Sequence, residues 1–174
     1  MKDILLITSE EIKDNAPISQ SIDPQLLEPF IPLAQTFHLK PILGDPLFNE
    51  LITSVSGDTL SGDNYTLIYT YIEPVVSWFA LYEAYPFIWS KINAKGATKS
   101  FSDNSESLSK KEFELIKQEI YDKAVTFKNL LIDYLNDNDD KFPSYRTEGS
   151  STKSNSSGIY LGKNYYRNYN DYCW

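Results

Sequence analysis

The residues best equipped for chemistry lie close together in HLKPILGDPLFNELI, residues 38 to 52, which holds the only histidine of the chain, His38, and two acids, Asp45 and Glu50. A histidine can serve as acid, base or metal ligand near neutral pH, and two carboxylates can share glycoside cleavage. His38 has no second histidine and no cysteine nearby, so a zinc site would need carboxylates for its other ligands. A histidine near a helix C-terminus is favoured by the helix dipole alone. Asp45 before Pro46 has the form of an N-cap followed by a proline in the first helical turn. Glu50 falls on the polar side of the helix that would follow. These residues therefore read as a joint between two helices, built from Gly44, Asp45 and Pro46, with no catalytic residue and no metal ligand assigned.

Two other stretches invite chemistry. NDNDD at 136 to 140 has the acids of a calcium loop but lacks its glycine and distal glutamate, so it reads as a solvated helix end. Cys173, the single cysteine, stands in a polar, tyrosine-rich segment poorly suited to holding a nucleophile. No phosphate-binding glycine loop, dinucleotide fingerprint, nucleophile elbow or zinc-protease motif occurs. No cofactor and no enzymatic activity are expected.

The elements that position these residues follow from length and patterning. A chain of 174 residues with 41% hydrophobic content supports one domain with appendages. The net charge is −8, and it is unevenly spread. Residues 146–174 hold Arg146, Lys153, Lys163 and Arg167 against Glu148 and Asp171, leaving an acidic body and a mildly basic tail. An acidic body repels nucleic acid, so specific binding to it is not expected. The apolar run Ile4 to Ile7 is too short for a signal-peptide core, and no membrane association is expected.

ILLIT reads as a short strand or extended arm, and SEEIKDNAPIS after it as a loop, together an arm over residues 1–22. Asp23-Pro24 starts a first helix, which Pro29 and Pro32 delay and Lys40-Pro41 should end. Leu47, Leu51 and Val55 then form one helical stripe, with Phe48 and Ile52 beside it. Tyr65 to Trp89 is apolar on most sides, the mark of a central helix, with a kink expected at Pro74 and a bend or end at Pro86. NAKGATKSFSDNSES reads as a polar loop. Ser109 and Glu112 have capping-box spacing, and Phe113, Ile116, Ile120, Ala124, Phe127, Leu131 and Tyr134 follow the 3-and-4 rhythm of an amphipathic helix. Glu119 and Lys123 should pair on its outer face. The expectation is an all-α bundle of about four helices over residues 23–145.

Residues 146–174 differ in kind. A Ser/Thr/Gly-rich half of flexible composition precedes Tyr160, Tyr165, Tyr166, Arg167, Tyr169, Tyr172 and Trp174. Clustered Tyr and Trp favour contact with a partner, because they bury much area for little lost side-chain freedom.

The order of PILGDPLFNELI, YIEPVVSWFALYEAYPFIWSKINAKG, a polar loop, the fourth helix and YLNDNDDKFPSY resembles the head–tail connector, or adaptor ring, proteins of tailed bacteriophages, in the form found in Bacteroides phages, crAss-like ones included. The similarity covers roughly residues 20 to 145. It implies a helical subunit, made in the host cytoplasm, that joins copies of itself in a twelvefold ring at the head–tail junction of the virion. Its partners would be the portal protein, the next ring or tail protein, and genome DNA passing through without specific binding. The alternative is a monomeric protein-binding module or assembly chaperone that uses the aromatic tail.

Overall fold

A computed structural model of the chain describes residues 4–16, 23–99 and 110–145. Among them there is no strand, and four helical rods form an all-α bundle. The first rod is α1, Ser9–Asn15. The second is entered by a 3-10 turn, Pro24–Leu26, and continues as α2 (Phe30–Ala34), a π-turn (Gln35–Leu39) and α3 (Lys40–Ser56). The third runs through α4 (Gly62–Thr66), a second π-turn (Leu67–Ile72) and α5 (Glu73–Lys99). The fourth is α6, Lys110–Asp137.

α1 corrects the expectation of a loop after residue 8. Thr8 accepts a hydrogen bond from the Glu11 amide, and the Glu11 carboxylate accepts one from the Thr8 amide, closing a capping box. Ile7 and Ile12, at the positions of a hydrophobic staple, are both buried. The segment before α1 is no strand, but it is held as though a strand lay beside it. Gln35, itself buried, accepts the Leu6 amide at 2.7 Å and donates to the Ile4 carbonyl at 3.2 Å. One side-chain amide thus satisfies two backbone groups that would otherwise be left unpaired.

The prolines do not stop the helices where the sequence suggests. Asp23 caps the 3-10 turn by accepting from Gln25 at 3.0 Å, and α2 begins at Phe30, with Pro32 in a first turn whose amides need no helical partner. The expected end at Lys40-Pro41 does not occur. A proline at 41 cannot bond the Phe37 carbonyl and would crowd it in a regular α-helix. The chain widens into the π-turn just before it, with the Lys40 amide reaching back five residues to Gln35. The same device precedes Pro74, where the Glu73 amide reaches Ile68. Pro86 does not end the third rod either, and helix continues over 93–99, where a loop was expected.

At the joint, Gly44 alone leaves the helical region, at φ 74° and ψ 161°. Asp45 is already helical, so Gly44 occupies the N-cap position and Asp45 is the first residue of the restarted helix, not its cap. The Asp45 carboxylate instead pairs with the Lys40 ammonium at 3.0 Å. Beyond the joint Leu47 and Leu51 are fully buried.

α5 packs against α1, α2 and α6, with Val75, Val76, Phe79, Ala80 and Ala84 buried along it. Ile120, Ala124, Leu131 and Leu135 face it from α6. Rings close the seam: Tyr71 stacks on Tyr134 at 3.8 Å, Trp78 lies by Phe127 at 6.3 Å, Tyr82 by Tyr121 at 5.3 Å and Tyr85 on Phe113 at 5.2 Å. Partner numbers fall as α5 numbers rise, so the helices run antiparallel. Glu119 and Lys123 are both exposed and do not form the expected ion pair; Gln118 and Asp122 bond on that surface at 2.8 Å. Ser109 lies outside the described residues. After α6 the chain folds Phe142 into the core against Tyr134.

Replacing Gly44 by Ala forces a side chain into a backbone region open essentially only to glycine, at a cost of about 1–3 kcal/mol. The expected result is a lower urea midpoint with an unchanged denaturant slope. Gln35→Leu strands the Leu6 amide and should cost about 1–3 kcal/mol, with hydrogen exchange accelerated at Leu6 before the helices open.

Candidate functional site

His38 lies inside the first π-turn, and the widened turn sets its ring flat on Phe79 of α5, with centroids 4.0 Å apart and planes 5° from parallel. Its Nε2 lies 2.8 Å from a carboxylate oxygen of Glu83, one turn further along α5. Tyr82 meets the imidazole edge-on at 6.5 Å. Glu83 is the only charged residue between Glu73 and Lys91, and its pairing with His38 explains a carboxylate placed within an otherwise apolar stretch.

A cleft of about 280 Å³ opens beside this pair. Its apolar wall is made by Phe37, Pro41, Ile42, Phe79 and Ile132, and its polar groups come from His38, Lys128 and Tyr145. The second rod contributes one side, α5 the floor, α6 the other side, and the segment after α6 the end. The Tyr145 hydroxyl is buried and has no hydrogen-bond partner among the described residues. Burial pushes its pKa up, so it stays a neutral donor throughout the neutral range. A histidine backed by a carboxylate can take a proton from a nucleophile, but no Ser, Thr or Cys lines this cleft. The arrangement is suited to holding something with an apolar body and a polar tip.

The acids singled out in the sequence do not act together. Asp45 is 74% exposed and paired with Lys40. Glu50 accepts from the Ser144 hydroxyl and from Asn64 at 2.9 Å, and these bonds hold its carboxyl below the usual range. It fastens α3 to the end of the domain, where Lys141 also approaches Asp63 at 3.9 Å. Asn138 closes the end of α6 by donating to the Tyr134 carbonyl at 2.9 Å. No cluster of possible metal ligands occurs among the described residues, and no helix there is long and apolar enough to cross a membrane. Tyr160, Tyr165, Tyr166, Arg167, Tyr169, Tyr172, Cys173 and Trp174 lie outside the described residues.

Where α1 meets the start of α5, a second electrostatic feature appears. Glu73 accepts a hydrogen bond from Asn15, yet its carboxyl is raised above the usual range, first by burial and then by the nearby charges of Glu11 and Asp14. An acid raised by folding adds stability below its unfolded pKa and loses it as pH rises through the folded value. Glu73→Gln keeps an acceptor for Asn15 and removes the charge. It should raise the melting temperature at pH 7, on the order of 1 °C because the group is largely solvated, and the gain should vanish below about pH 4. Thermal melts of both proteins across that range check the sign.

No curated protein and no solved structure matches the chain significantly. A family model does match, over residues 39–155, spanning α3 to α6 and continuing beyond Tyr145. The chain belongs to a family of unknown function, DUF6712.

Proposed function

We propose that this protein is a structural subunit of a tailed-phage virion, which joins copies of itself in a ring between portal and tail and so lengthens the channel for the genome. One observation carries the reading beyond the sequence resemblance. Large apolar side chains stand exposed on rigid helices: Phe87 is 59% exposed, Leu115 57% and Leu130 51%. Apolar surface held outward by helical backbone is stabilised by contact with another protein, and such surface marks interaction sites. Leu115 and Leu130 belong to α6 and Phe87 to α5, so the apolar surface is spread over two rods. A ring subunit has neighbours on two sides and another ring above or below, and needs contact surface in several directions. The acidic body suits a channel wall, because like charge removes the attraction that would hold DNA in place.

The mass of the full-length protein in solution, alone and mixed with the portal protein of the same virion, tests the proposal. Ring-sized or portal-bound complexes are expected, and Phe87→Glu together with Leu130→Glu should weaken them at least tenfold while leaving the melting transition intact. A monomer that ignores the portal overturns the reading and favours a one-to-one binding module.

A further inference from the structure

We propose that the cleft beside His38 is the docking site of the chain's own tyrosine-rich segment, residues 160–174, with one tyrosine ring against Phe37, Pro41 and Ile132 and its hydroxyl at Lys128. The contact is intramolecular and does not rest on ring assembly.

The cleft specifies its occupant in size and chemistry. At about 280 Å³ it holds one aromatic side chain, and it is too small for a helix or a folded partner. Its wall is apolar and its polar groups are few, which matches a residue with an apolar ring and a polar tip. Tyr145 closes the end of the cleft, so the described chain stops at the site itself. Lys128 offers a donor from α6 for the hydroxyl of such a residue. Phe37, whose ring lines the opening, is the most exposed large apolar side chain among the described residues, and an occupant would cover it.

Connectivity selects which tyrosine arrives. The chain continues directly from Tyr145, a wall of the cleft, into the segment with six aromatics between Tyr160 and Trp174. Residues 146–159 are rich in Ser, Thr and Gly, and a spacer of that composition has a root-mean-square span of about 20 Å. A tether of that length holds its end near the cleft at an effective concentration in the millimolar range, enough to keep a weak contact occupied. Charge acts in the same direction, since Lys163 and Arg167 belong to the mildly basic stretch 146–174 of an otherwise acidic chain. With five tyrosines in the segment, the docked ring is drawn from a local pool, which further favours occupancy.

The chain carries its own probes for the test. Cys173 is its only cysteine and His38 its only histidine. A nitroxide spin label on Cys173 of the full-length protein should broaden the His38 imidazole resonances strongly. Phe37→Glu, at an exposed position that the fold tolerates, should cut that broadening several-fold, while Phe87→Glu, outside the cleft, should leave it unchanged. Each variant is checked by its melting transition. Broadening no greater than a freely moving tether produces, or equal in Phe37→Glu and the parent, overturns the proposal. Equal broadening when the label and the observed histidine reside on different chains of a mixed sample overturns it too, and assigns the cleft to the segment of a second copy.

Discussion

The antiparallel seam of rings between α5 and α6 is the interaction on which the rest of the molecule depends. Tyr71 on Tyr134, Trp78 by Phe127 and Tyr85 on Phe113 lie at successive levels along the seam. Rings stacked in this way tolerate little sliding, because a shift by one residue turns each of them away from its partner. Once the seam is in register, Lys128 and Ile132 come to face the second rod, and the chain leaves α6 where Phe142 can enter the core. The cleft follows from that register, since its two sides belong to the second rod and α6 with Phe79 of α5 between them.

Much of this architecture was legible in the residue pattern. The stripe Leu47, Leu51 and Val55, the nearly continuous apolar surface of Tyr65 to Trp89, and the 3-and-4 rhythm of Phe113 to Tyr134 each mark a helix and a buried face. Gly44 announced a turn that a side chain would obstruct. What the pattern misjudged were places where local preference yields to tertiary packing. Pro41 read as a stop and Pro74 as a kink, yet a single wider turn lets the helix pass each of them, and local preference alone does not announce that turn. α1 was missed for a different reason. Its capping box and staple were present in Ile7, Thr8, Glu11 and Ile12, but seven residues are too few to display a periodicity.

The candidate site was half visible. His38 stood out as the one imidazole, and its partners did not, because Glu83 lies 45 residues away in sequence. A clue was nonetheless present: a lone carboxylate within an apolar helix needs a partner. Tyr145 and Lys128 carried no such sign. Tyr145 comes to the cleft because the chain after α6 returns towards the second rod, and Lys128 because α6 packs antiparallel to α5, facts of topology that spacing along the chain does not record.

The π-turns have an evolutionary consequence. Each accommodates one residue more than the regular helix around it, and every residue beyond it is turned by about 100° relative to an uninterrupted α-helix. Trp78 and Tyr85, both beyond the second π-turn, reach their α6 partners with that extra residue in place. Drift in this chain should therefore accept side-chain exchanges at outward positions such as Thr36 and Thr70, and almost no change in the number of residues in either turn. Length in those two short windows is inherited as strictly as the identity of their buried side chains.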